Sequence, residues 1–177
     1  VRAFIPLRSV LLLTALGVSG LAAQPAATPG FTEPEIKAAF LTHLMGFVSW
    51  PGQQQAKTIC VEEDDATTQA VDSILSTRVD AELELIILAS ADELPPCDLL
   101  YMNSDTTEGV DGQFHRGVLT VADADGFAQQ GGMVEFQRKA NRIALIINTG
   151  AMHEAGLTAS SRLLALATVI PATGREI

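Results

Sequence analysis

The 177-residue chain carries 21 Asp and Glu against 11 Lys and Arg, a net charge of −10. That balance excludes nucleic acid as a natural partner, because a phosphate backbone is held by clustered Lys and Arg. A hydrophobic share of 47% describes an aliphatic packed core rather than a disordered chain.

Arg2 and Arg8 form a short basic opening, followed by the uncharged apolar stretch Val10–Val18 and the small residues Ser19-Gly20-Leu21-Ala22-Ala23. This order predicts an export signal peptide over residues 1–23, cleaved after Ala23. The apolar stretch falls short of the about 20 residues needed to span a membrane, and Gly17 and Gly20 interrupt the region. Loss of the leader, with its two Arg and no acid, takes the net charge from −10 to −12. Residues 24–30 read as a flexible lead-in and residues 31–177 as one domain. No later hydrophobic run reaches spanning length.

Thr32-Glu33-Pro34-Glu35 announces the first helix, with Thr32 as cap, Glu35 three residues on as in a capping box, and Pro34 tolerated in the first turn. Phe31 and Ile36 are spaced as a hydrophobic staple. Ile36, Ala39, Phe40, Leu44, Phe47 and Val48 follow at helical spacing, and Trp50-Pro51 is the expected stop. Thr58–Val61 reads as a strand, Glu62–Asp65 as a turn, and Ala70, Val71, Ile74 and Leu75 mark a second helix. Leu83–Leu88 and Leu99–Asn103 are the next strands, so that strand, helix and strand make a parallel crossover.

Val118–Ala122 is a fourth strand. Asp123-Ala124-Asp125-Gly126 then turns into a brief helix expected to stop at Gly131-Gly132. Met133–Arg138 and Arg142–Asn148 flank the polar turn Lys139-Ala140-Asn141 and predict an antiparallel hairpin. Helices are expected over Thr149–Ala155 and Ser160–Ala167. The fold class is therefore α/β: a single domain with a mixed β-sheet, helices on its faces and a C-terminal antiparallel hairpin.

Cys60 and Cys97 are the only cysteines, and both fall in the exported part. Two cysteines of a small domain in an oxidising compartment are expected to pair. They lack the further ligands of a zinc site and the C-x-x-C of a redox centre. His43, His115 and His153 have no i, i+4 relation and no H-E-x-x-H, so they read as structural or surface residues. Asp123 and Asp125 resemble the start of a calcium loop, but Gly126 follows the second Asp directly and no closing Glu comes at the right place. They read as turn and cap residues. Ser160-Ser161 has no G-x-S-x-G around it. No catalytic residue, metal site or cofactor is expected, and the protein is not read as an enzyme.

The segment Glu35-Ile-Lys-Ala-Ala-Phe-Leu-Thr-His-Leu-Met-Gly-Phe-Val-Ser-Trp-Pro51 resembles the opening of YfiR-type periplasmic proteins, where K-A-A-F-L runs into F-x-x-W-P. Leu119–Phe136 continues the likeness. So does Arg142 to Leu164, through Ile147-Asn148, Ala155-Gly156-Leu157 and Ser160-Ser161-Arg162-Leu163-Leu164. Cys60 and Cys97 match the family's strand Cys and the Cys before its third strand. A further Cys pair that some members carry near the late hairpin is missing here.

The resemblance implies a periplasmic protein that inhibits an inner-membrane diguanylate cyclase by contact with its periplasmic region, and so lowers cyclic di-GMP signalling and biofilm formation. It also implies an outer-membrane OmpA-like partner that relieves the inhibition. A homodimer is expected. Phe40, Leu41, Phe47 and Trp50 are candidates for a partner surface, since aromatics are enriched at interfaces, although most of an apolar helix face is normally core. Arg138 and Arg162 are candidate polar anchors. A periplasmic small-molecule-binding sensory module is the alternative, because mixed α/β folds offer crevices at strand ends.

Overall fold

The computed structural model describes residues 30–50, 52, 58–78, 83–88, 95–102, 116–140 and 142–172. The predicted signal peptide, nearly all of the lead-in and His115 lie outside the described residues. The chain parts into two units after Gly30, and the fold below is that of the second.

Helix α1 spans Glu33–Phe47. The Glu35 carboxylate reaches back to accept from the Thr32 N–H at 2.7 Å and the Thr32 hydroxyl at 2.8 Å. This satisfies the Thr32 amide, a donor that a helix start leaves without a partner in the helix. The expected staple does not form, since Phe31 is 85% exposed. The helix also stops earlier than its apolar spacing predicts. Val48–Ser49 leaves it as a two-residue strand, β1, and the Phe47 carbonyl accepts from Ser160 N–H at 2.8 Å. A long-range strand pairing, invisible to local periodicity, captures the helix end.

Strand β2 (Thr58–Val61), helix α2 (Ala66–Thr77) and strand β3 (Glu84–Ile87) make the predicted parallel crossover. Asp65 caps α2, its Oδ1 accepting from Thr68 N–H at 2.8 Å. Strands β4 (Leu99–Met102) and β5 (Leu119–Ala122) follow, each buried along its whole length, as strands covered on both faces are. Strands β6 (Val134–Lys139) and β7 (Arg142–Asn148) form the predicted antiparallel hairpin.

Two further expectations need correction. The helix predicted after Asp123 is a run of turns, in which Gly126 and Gly131 take left-handed φ values of 83° and 105° that break helical continuation. The helix predicted over Ser160–Ala167 is shorter. After helix α3 (Thr149–Glu154) and the two-residue strand β8 (Thr158–Ala159), helix α4 covers only Ser161–Leu164, and Ala167–Ile170 becomes strand β9. β9 runs parallel to β7, whose free edge offers the β-branched Thr168-Val169-Ile170 a ladder of hydrogen bonds.

The result is a mixed seven-stranded sheet in the order β3-β2-β4-β5-β6-β7-β9, with β1 and β8 paired separately and antiparallel. The hairpin therefore lies inside the sheet, not at its margin. Alternation along the strands sorts the side chains. Ile59, Val61, Leu99, Tyr101, Leu119 and Val121 join the large core that also contains Ala38, Leu41 and Leu44 of α1. Cys60, Leu100, Met102 and Ala122 face the other way, into a smaller core capped by Phe127 of the turn segment. Cys60 and Cys97 are joined as a disulfide with their Cα atoms 5.9 Å apart, tying β2 to the approach to β4.

Candidate functional site

Helices α1 and α2 pack against each other above the large core, and between their outer sides runs an apolar groove of about 800 Å³. Ile36, Ala39 and Phe40 line it from α1, Ala70 and Ile74 from α2, and exposed Phe31 stands at its mouth. Glu35, His43, Gln69 and Ser73 supply the polar rim. The Phe40 ring leans on buried Phe136 with centroids 6.0 Å apart, which fixes it half in the core and half in the groove. Aliphatic walls with few convergent polar groups suit an apolar side chain or helix face better than a charged metabolite.

Beside the amino-terminal turns of α1 sits an ionic cluster. Lys37 lies on the helix side that faces the sheet, with only 10% of its side chain exposed. Its ammonium bonds Glu33 Oε1 at 2.7 Å and Asp123 Oδ2 at 2.8 Å. Burial pulls the Lys37 pKa down, but these two carboxylates more than offset that and leave it raised. Asp123 Oδ2 also accepts from the Tyr101 hydroxyl at 2.7 Å. Burial first, and the Asp123 charge second, push Tyr101 above its usual range, so it remains a neutral donor. Arg138 completes the cluster by pairing with Glu33 Oε1 at 2.6 Å. The other oxygen of Asp123, Oδ1, is buried without a hydrogen-bond partner. Such a group costs on the order of 1–3 kcal/mol. Asp123 directly follows β5, and so stands at the carboxyl edge of the parallel strands, where α/β folds commonly place ligands.

The model of the YfiR/HmsC-like family matches residues 34–168, from the first turn of α1 into β9. The chain belongs to the YfiR/HmsC-like family. No individual curated protein matches it significantly. The match takes in both helices of the groove, all the acids and bases of the cluster except Glu33, and both cysteines.

Within this YfiR/HmsC-like domain the candidate partner residues separate into two groups. Phe40 and Arg138 lie toward the amino-terminal half of α1, one in the groove wall and the other in the ionic cluster. Phe47 and Trp50 stand at the other end of α1, where β1 pairs with β8 just ahead of α4 and its exposed Arg162. Leu41 is fully buried and Trp50 is 7% exposed, which makes both core residues. The Trp50 indole N–H has no hydrogen-bond partner. His43 and His153 are both exposed, and among the described residues no three His, Cys, Asp or Glu side chains gather as a metal ion would need.

Lys37, Tyr101 and Glu33 belong to no sequence motif that marks a site, and Asp123 reads from the sequence as a turn and cap residue. One signal was available. Lys37 directly precedes the buried Ala38 and lies four residues after Glu33, and a Lys among core positions requires a carboxylate partner.

Proposed function

We propose that this YfiR/HmsC-like protein is a periplasmic regulator that inhibits an inner-membrane diguanylate cyclase by protein–protein contact. The supporting observation is the open apolar groove between α1 and α2, lined by Phe40 and, apart from Phe31 and Thr32, built within the family's matched segment. A groove of this kind is suited to the apolar face of a partner element, as in helix-in-groove recognition. The Cys60–Cys97 disulfide fits an oxidising compartment and agrees with export by the leader.

Inhibition needs no chemistry in this reading. A domain that binds the inactive form of the cyclase more tightly than the active form shifts the population toward the inactive one, and a tenfold shift takes about 1.4 kcal/mol of differential affinity. An outer-membrane OmpA-like protein would relieve the inhibition by competing for the domain, and a homodimer is the expected free form. Deletion of the gene should raise cyclic di-GMP in cells that express the cognate cyclase. Unchanged levels in such cells would overturn the proposal.

A further inference from the structure

A second cleft, of about 530 Å³, lies on the sheet face opposite α1, along β6 and under the turn segment that follows β5. Asp125, Gln129, Gln130, Glu135, Gln137 and Lys139 line it. Glu135 is central on β6, between Ala122 of β5 and Ile146 of β7, and its side chain has no solvent exposure. One carboxyl oxygen, Oε2, accepts from Ala128 N–H at 3.1 Å. With its amide turned so that the nitrogen rather than the oxygen faces the carboxylate, Gln129 donates to the same oxygen and to the Gly126 carbonyl, each at 3.2 Å. The other oxygen, Oε1, has no partner at all.

An acid on a strand between Ala122 and Ile146 is unnecessary for packing, and one unbonded oxygen leaves it half used. Oε1 can accept a donor, and Glu135 is one of the residues that line the cleft. We propose that this cleft binds a small organic ammonium compound, whose ammonium group bonds Glu135 Oε1 and whose hydroxyls are read by the glutamine side chains. The amino alcohols and amino sugars are the class that fits. A metal ion does not, because among the described residues no three metal-ligating side chains gather around Glu135 or elsewhere. Gln130 and Gln137 each offer one donor and one acceptor group, as a hydroxylated body requires. Arg138, at the border of the cleft, has its charge matched by Glu33 at 2.6 Å, and Asp125 adds a second acid to the wall. Gln129 is itself exposed and closes over Glu135, so it must swing outward for the ammonium to enter.

The site is independent of the groove between α1 and α2, so it stands or falls separately from the partner proposal. Calorimetric titration of the full protein with ethanolamine and with glucosamine tests it, with N-acetylglucosamine as the analogue lacking an ammonium group. Saturable binding of an amine below about 10 mM is expected, with none for the acetylated sugar. Glu135→Gln keeps the side chain's size and can still accept from Ala128, and it should weaken binding by about tenfold or more. Gln129→Ala, at an exposed position, should strengthen binding severalfold by removing the closing amide. Absence of saturable binding by both amines overturns the proposal, as does an affinity unchanged by either substitution. Equal binding of N-acetylglucosamine overturns it too.

Discussion

Lys37 occupies a helix side that otherwise packs on the sheet, and three neighbours make this tolerable: Glu33, Asp123 and, through Asp123, Tyr101. Removing one partner of such a buried pair leaves the other charge uncompensated, which is costlier than the pair is valuable. The same cluster sets a pH response. Hydrogen bonds from Arg138 first and Lys37 second hold the Glu33 carboxyl at about 2, below its ordinary 4.5. A carboxylate depressed on folding contributes stability that is complete above the unfolded value and is lost as pH falls toward the folded one. Melting temperature should therefore fall between pH 4.5 and about 2, and Glu33→Gln should fall less steeply across that window. Glu35, lowered by its bonds to Thr32, adds slope of the same sign in both proteins. Gly132 is governed by space instead. A Cβ there would enter the ring of Phe127, which is fully buried and cannot yield. Gly132→Ala is expected to cost about 1–3 kcal/mol, read from denaturant unfolding.

Among the elements, α1, β2, α2, β4 and the β6–β7 hairpin were legible because each carries its own signal. The Thr32–Glu35 cap, the acidic turn at 62–65 and the polar turn at 139–141 are local chemistry. Where the turns after Asp123 follow from the left-handed Gly126 and Gly131, the other two misread segments share a different cause, which is competition from a distant partner. Val48–Ser49 pairs with Thr158–Ala159 across more than a hundred residues, and β9 takes its place only because β7 leaves an edge open. Local spacing in both segments is compatible with helix, and the long-range ladder wins. The disulfide acts at this scale, closing a loop with a sequence separation of 37 residues between β2 and the start of β4. Chain entropy assigns such a closure about 3–4 kcal/mol. Reduction, or Cys97→Ser, should lower the melting temperature by about 10 °C for a domain of this size, measured with and without reductant.

For the whole molecule, the question is which surface meets a partner. Phe40 is a poor probe, because its ring also supports Phe136 and its loss would disturb the core. Gln69 and Ser73 are exposed on α2 at the groove's rim, so Gln69→Arg and Ser73→Arg can fill the groove without touching the core. The double variant should melt like the parent protein yet lose capture of the cyclase's periplasmic region in a pull-down. Retained capture would place the partner surface at another site, such as the Phe47–Arg162 end of α1. The sequence by itself determined the α/β class, the acidic balance and the family, because composition, caps and motif order are properties of short stretches. It also named the two cysteines that pair. Only the tertiary structure decided that Leu41 and Trp50 are core, that Phe40 lines a groove, and that Lys37, Tyr101 and Asp123 meet. Those outcomes depend on which elements pack together, and residues 22 to 86 positions apart carry no local trace of their contact.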